Sequence, residues 1–215
     1  KGIPTTVRFM GRASAADIAR EHGKADLLLG NNVLAHVPAI NDFVGGMQLL
    51  LAPGGTITME FPHLLRLIEG VQFDTIYHEH FSYLSLVTVE RIFAHHGLTL
   101  FDVEELPTHG GSLRIFARHT DEDVNGSARP VGERVHALRE REITDGYLGT
   151  ERYQGFGERV RETKRKLLAF LIDAKAHGKT VVGYGAPGKG NTLLNYCGIR
   201  TDFLDFTVDA NPYKQ

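Results

Sequence analysis

Between Phe73 and Tyr83 the chain reads Phe-Asp-Thr-Ile-Tyr-His-Glu-His-Phe-Ser-Tyr, so Tyr77-His78-Glu79-His80 sets a phenol, two imidazoles and a carboxylate side by side. An imidazole titrates near neutrality and can take a proton and return it. A neighbouring carboxylate orients the ring and raises its basicity, and a phenol donates to a developing oxyanion. Together these groups suit removal of a proton next to a carbonyl. The run by itself leaves two other readings open. One is a surface loop with incidental histidines. The other is a metal pair, His78 and His80, on one face of an extended strand, for which no third ligand stands nearby.

Two further stretches have the composition of ligand sites. Asn31-Asn32-Val33-Leu34-Ala35-His36-Val37 follows the apolar run Ala25–Gly30, and residues just past the carboxyl end of a parallel strand line the crevice of an open α/β sheet. Asn32 and His36 therefore have the address of a site, although His36 is equally well read as a turn-capping histidine. Later, Val182-Gly183-Tyr184-Gly185-Ala186-Pro187-Gly188-Lys189-Gly190 fails as a phosphate-binding Walker loop, because Gly190 replaces the Ser or Thr that would ligate magnesium. As Gly-x-Gly-x-x-Gly it matches through Gly183, Gly185 and Gly188, with Asp209 ending the next strand where a ribose-binding acid would stand. A tight strand-to-helix turn without a ligand explains the same glycines.

The elements that must carry these residues follow from periodicity and punctuation. Thr5–Met10 reads as a β-branched strand ended by Gly11, and Ser14 as the N-cap of a helix over 15–22 closed by Gly23. Ala25–Gly30 reads as a buried parallel strand, 40–51 as a helix, Pro53-Gly54-Gly55 as a turn and Thr56–Glu60 as a strand. This alternation is the grammar of a doubly wound α/β sheet. Then come a helix over 87–96 closed by Gly97, and strands over 98–105 and 113–117 that pair antiparallel at a sheet edge. Residues 121–130 read as a linker, followed by a charged helical region broken near 146–157 and a helix over 158–177. A strand–loop–helix–strand unit starts at Thr180 and reaches Asp209.

Composition narrows the function classes. Twenty-four Lys and Arg against 26 Asp and Glu leave a formal charge of −2, and the basic residues of 129–166 are interleaved with acids, so a nucleic-acid footprint is not expected. No run of eighteen apolar residues suggests a membrane span. One cysteine, Cys197, excludes an internal disulfide or a cysteine zinc cage within these residues. The expectation is a cytoplasmic protein.

Taken together, the segments resemble the SAM-dependent C-methyltransferases of deoxysugar biosynthesis, which methylate ketosugars carried on a nucleoside diphosphate. The likeness rests on Asn31–Val37, Pro53-Gly54-Gly55 with Glu60-Phe61-Pro62-His63, Phe73–Leu86, His109-Gly110-Gly111-Ser112-Leu113-Arg114, and Gly183–Ile199. It implies an α/β fold: an incomplete Rossmann-like SAM-binding domain over 1–120 with the catalytic loop, a linker and helical region over 121–178, and the start of a second Rossmann-like domain over 179–215. The family's N-terminal zinc domain and glycine-rich SAM loop would lie outside the chain, so zinc is expected only there, and the chain reads as cut at both ends.

By the same resemblance His80 is the general base, supported by Glu79 and Tyr77, with His36 across the cleft and no metal needed. Phe9 and Met10, at the end of a central strand, match the place of the adenine, and Asn32 that of the cofactor's amino-acid end. His109, Arg114, Lys189 and Asn191 are the candidates for the sugar nucleotide. Tyr77 and His80 share a face on a turn or helix but not on a strand, so this loop is expected not to be extended. The alternatives are a dinucleotide-binding oxidoreductase built on Gly183–Asp209 and a non-catalytic binding module.

Overall fold

The computed structural model describes residues 2–125 and 128–214. Residues 126 and 127, inside the expected linker, lie outside the described residues. The chain divides into two compact units, one made of residues up to 66 with Phe81–Leu148, the other of Leu67–His80 with residues from 149 on.

The first unit is an α/β layer around a four-stranded mixed sheet of order β1-β2-β4-β3. Its elements are α1 (Arg12–His22), β1 (Ala25–Asn31), α2 (Ile40–Leu50), β2 (Leu51–Pro62), α3 (Leu64–Glu69, which leads into the second unit), α4 (Leu86–His95), β3 (Leu98–Leu106), β4 (Ser112–His119) and α5 (Glu133–Thr144). β1 runs parallel to β2, β4 antiparallel to β2, and β3 antiparallel to β4, the edge pairing expected for those two strands. β2 is central and buried on both faces. Ile57, Met59 and Phe61 pack with Leu113, Ile115 and Ala117 of β4 on one face. Phe93 of α4 is fully buried as well.

Three sequence expectations are corrected here. Thr5–Met10 forms no strand. β-branched composition does not make a strand without a partner to complete its ladder, and β1 pairs only with β2 among the described residues. The segment is irregular, with Val7 and Phe9 fully exposed and the Ser14 hydroxyl donating to the Phe9 carbonyl at 2.9 Å. Ser14 is therefore not an N-cap. It sits in the first turn of α1, its oxygen accepting the Gly11 N–H at 2.9 Å, and Gly11 is the cap. β1 is parallel but not buried, since its edge position leaves Leu27 and Leu29 exposed.

The Pro53-Gly54-Gly55 turn lies within β2 as an excursion. Ala25 faces Leu51 and Leu27 faces Thr56, so residues 52–55 bulge opposite Asp26. Gly54 has φ 77°, a conformation glycine adopts without strain. The bulge is strapped by residues near both ends of the 121–130 segment. Glu122 accepts the Gly54 N–H at 3.0 Å, and Arg129 donates to the Gly55 carbonyl at 2.7 Å and to Thr56 Oγ1 at 2.6 Å.

The second unit contains α6 (Glu151–Gln154), α7 (Phe156–Ala176), β5 (Val182–Tyr184), α8 (Gly188–Cys197) and β6 (Phe206–Val208). β5 and β6 pair in parallel, with α8 as the crossover. Leu171, Cys197 and Ile199 form its buried centre. Arg159 of α7 donates to the carbonyls of Ile68 and Glu69 at 2.8 and 2.6 Å, satisfying the end of α3. Among the described residues no helix is long and apolar enough to cross a membrane.

Candidate active site

The loop 67–80 is built from its own backbone upward. Val71, a β-branched residue, has φ 51°, which is unusual outside glycine and asparagine. One 3-10 turn, Phe73–Thr75, follows. Phe73 is buried with its ring 5.0 Å from that of Tyr196, and the Thr75 hydroxyl donates to the Gln72 carbonyl at 2.8 Å. This fixes the Thr75 carbonyl, which lies 2.8 Å from His80 Nδ1. A carbonyl only accepts, so Nδ1 carries hydrogen, and in the neutral ring the basic lone pair is on Nε2.

Tyr77–His80 closes a turn through His80 N–H to the Tyr77 carbonyl at 3.1 Å. The loop is therefore not extended there. The two rings lie 4.7 Å apart at 30°. Burial raises the Tyr77 phenol above its usual pKa, helped by the charges of Glu79 and Asp74, so it stays a donor. Glu79 does not orient His80 as expected: the Nδ1 hydrogen goes to Thr75, and Glu79 stands exposed at the turn's tip beside His78. Its effect reaches Tyr77 through charge. Nor do His78 and His80 share a strand face, and among the described residues no group of three His, Cys, Asp or Glu is gathered as for a metal.

In the first unit the carboxyl ends of β1 and β2 hold the other candidates. Asn32 is exposed with φ 54°, and its backbone N–H donates to the Glu60 carbonyl at 2.8 Å. His36 ends a single 3-10 turn, Leu34–His36. The carbonyl of Ala35, next to it, accepts the N–H groups of Phe81 and Ser82 at 2.8 and 3.2 Å. Across the sheet Asn31, Glu60, Arg114 and Glu104 form one register row spanning all four strands. Glu60, almost buried, accepts from Thr108 Oγ1 and Arg114, both at 2.7 Å. The Thr108 hydrogen bond, then the Arg114 guanidinium and the His109 charge, lower its pKa against the cost of burial. Arg114 also lies 3.8 Å from Glu104. Its charge is partnered within the protein. His109 has φ 53° and opens a run of positive φ through Gly110 and Gly111.

The local pattern gave no signal for Glu60 or Thr108 as partners, nor for the buried pair His63–Glu142 at 2.7 Å. Only the Glu60-Phe61-Pro62-His63 stretch, already part of the family likeness, pointed to this strand end.

In the second unit Lys189 and Asn191 lie in the first turns of α8, where Asn191 Oδ1 accepts from Asn195 at 3.0 Å. Asp209 accepts the backbone N–H groups of Ala186 and Asn211 at 2.7 and 2.8 Å and lies 3.6 Å from Lys214. It thus serves the turn between β5 and α8, the ligand-free explanation of those glycines. At the position expected for the cofactor's amino-acid end, Asn32 presents an exposed amide, which offers a donor and an acceptor. The strand expected to present Phe9 and Met10 is not formed. Both instead line an open cavity of about 440 Å³ with Gly11, Ser14, Asp17 and Asp42.

Comparison with known proteins adds the family. A methyltransferase domain model matches residues 5–103, and a C-methyltransferase C-terminal domain model matches residues 107–215. The chain is 38% identical to C-methyltransferase NovU of Streptomyces niveus over 218 residues, covering 100% of this chain and 50% of that relative. It therefore spans about half the relative's length. Among solved structures, the magnesium protoporphyrin IX methyltransferase of Synechocystis PCC 6803 shares 15% identity over 47% of this chain and 48% of its own, with a TM-score of 0.36. The PH0226 protein of Pyrococcus horikoshii OT3 shares 13% over 53% and 55%, with a TM-score of 0.38. The family model over 107–215 takes in just over half of the chain, which belongs to the C-methyltransferase family.

Proposed function

We propose that this chain carries the enolising machinery of a SAM-dependent C-methyltransferase whose substrate is a nucleotide-linked deoxy-ketosugar. The observation that carries the reading is the hydrogen bond from His80 Nδ1 to the Thr75 carbonyl. It leaves the ring's basic nitrogen as Nε2 and sets the tautomer before substrate arrives. The substrate carbonyl acidifies the adjacent C–H, His80 Nε2 removes that proton, and the Tyr77 phenol donates to the enolate oxygen. His36 is assigned the same oxygen on the family likeness alone. SAM, when bound, supplies an electrophilic methyl group and leaves as the neutral thioether. Asn32 holds the cofactor's amino-acid end, and His109, Lys189 and Asn191 are assigned to the nucleotide's phosphates. The proton on His80 then passes to solvent. In-line alignment of carbon and methyl contributes as much as the base does.

The test uses the full-length protein with a 4-keto-deoxysugar nucleotide and methyl-labelled SAM. Wild type should transfer label, and His80→Ala should lose about 10²–10⁴-fold in kcat. Incubating substrate in deuterium oxide without methyl transfer should place deuterium on the carbon beside the keto group with wild type and not with His80→Ala. Deuterium uptake that is equal in the two proteins would overturn the assignment of the base.

A further inference from the structure

Glu142 lies near the end of α5 with its side chain fully buried. A buried carboxylate is costly unless its acceptors are satisfied, and this one takes three donors. His63 Nε2 lies 2.7 Å from Oε1, the Leu86 N–H 2.9 Å from Oε1, and the Val87 N–H 2.9 Å from Oε2. Leu86 and Val87 open α4, so two of the N–H groups that a helix start leaves unmade are satisfied from another helix. Ser85, the local cap, serves only Thr88, at 3.3 Å. A negative charge is favourable at that end of a helix.

His63 extends the node. Its buried Nδ1 has no hydrogen-bond partner among the described residues, so the ring's one strong bond is the one to Glu142. Its backbone N–H donates to the Gly111 carbonyl at 3.0 Å, and the Leu64 N–H donates to Leu84 at 3.0 Å. Three segments therefore meet at the buried His63–Glu142 pair: the end of β2 beyond Glu60, the end of the His109–Gly111 turn, and residues 84–87. The last of these is the stem on which the chain leaves the loop bearing Tyr77 and His80.

We propose that His63 and Glu142 are positioning residues for the reaction, holding the stem of the base-bearing loop and the His109 turn to the end of β2. The node touches no substrate atom. Its effect reaches the reaction through the segments it fixes, and this rests on the reading of His80 as the base. A helix could be capped by its own neighbours. A carboxylate supplied from 55 residues away instead ties the helix start to the ends of β2 and of the His109–Gly111 turn.

The test uses Glu142→Gln, His63→Leu and His63→Gln in the full-length protein. Glu142→Gln turns a double acceptor into an acceptor and a donor, His63→Leu removes the donor, and His63→Gln keeps a donor of similar reach. For the first two variants kcat should fall by about tenfold to hundredfold, as expected when reacting groups are slightly misplaced. KM for SAM and sugar nucleotide should stay within about twofold, the pattern of a lost transition-state interaction. His63→Gln should recover most of kcat. Amide hydrogen exchange should accelerate at 81–87 and 109–112 in the first two and return toward wild type in the third. A lowered melting temperature with unchanged kcat per folded enzyme, or with exchange no faster at those segments than elsewhere, would overturn the proposal. If Glu142→Gln does not fold, the His63 pair decides. If wild type itself transfers no methyl group, the functional reading fails and the exchange data still decide the positioning claim.

Discussion

At the scale of single residues, chemistry depends on which atom of a ring holds the hydrogen. In the proposed reaction His80 works through Nε2, because a backbone carbonyl, not Glu79, accepts its Nδ1 hydrogen. Tyr77→Phe keeps the ring beside His80 and removes only the hydroxyl, so kcat should fall by about 10²–10³-fold, the cost of losing an oxyanion donor. The melting temperature should not change. Glu79→Gln, by contrast, should lower kcat only slightly, since the carboxylate is exposed and makes no bond to the base; steady-state kinetics on the pair separates the two roles. The dense Tyr77–His80 cluster was legible from residue types alone, because its partners are neighbours in the chain. Glu60 was not. Its hydrogen-bond partners stand 48 and 54 residues away, and nothing in local spacing records a contact that the sheet register creates.

At the scale of elements, long-range contacts decide what propensity leaves open. Thr5–Met10 has the composition of a strand and no ladder to join, whereas β3 and β4 pair as their apolar runs suggest. Helices α1, α2, α4 and α7 were read within a few residues because their apolar period or closing glycines are local. How they meet was not legible. Gly46 of α2 sits against Gly11, where an added Cβ would lie 2.7 Å from the Gly11 carbonyl carbon and oxygen. Gly46→Ala should therefore destabilise by about 1–3 kcal/mol, the cost of overpacking backbone on backbone, as measured by chemical denaturation.

The start of α1, the start of α2 and the end of α4 share a histidine node. His96 Nδ1 accepts from Arg12 at 3.1 Å and Nε2 donates to Asn41 Oδ1 at 3.0 Å. Burial first, then the His95 and Arg12 charges, lower its pKa. The neutral ring is thus the form the fold prefers. Its contribution is present above the unfolded value of about 6.5 and is lost as pH falls through the lowered folded value. Melting curves between neutral and mildly acid pH should show His96→Gln losing less stability on acidification than wild type.

At the scale of the whole molecule, the two units differ in how much they bury. β4 has Leu113, Ile115 and Ala117 fully buried, while all three residues of β6 are exposed and the cluster of the α7–α8 region has only Leu171, Cys197 and Ile199 buried. Local opening costs least where few apolar contacts must break. Amides of β5 and β6 should therefore exchange faster than those of β2 and β4, as read by mass spectrometry of peptides. The overall α/β order was visible in the alternation of runs. The asymmetry in depth was not, because Val182, Tyr184, Phe206 and Val208 look like core residues in the sequence and stand on the surface of their strands.

That shallow centre contains the chain's one cysteine. Cys197 is 3% exposed, and burial pushes its thiol pKa upward, so the reactive thiolate is suppressed while the second unit is closed. A thiol reagent added to this folded chain would thus act as a clock. Each labelling event would time one opening of the α7–α8 region, with no second sulfhydryl among these 215 residues to confuse the count.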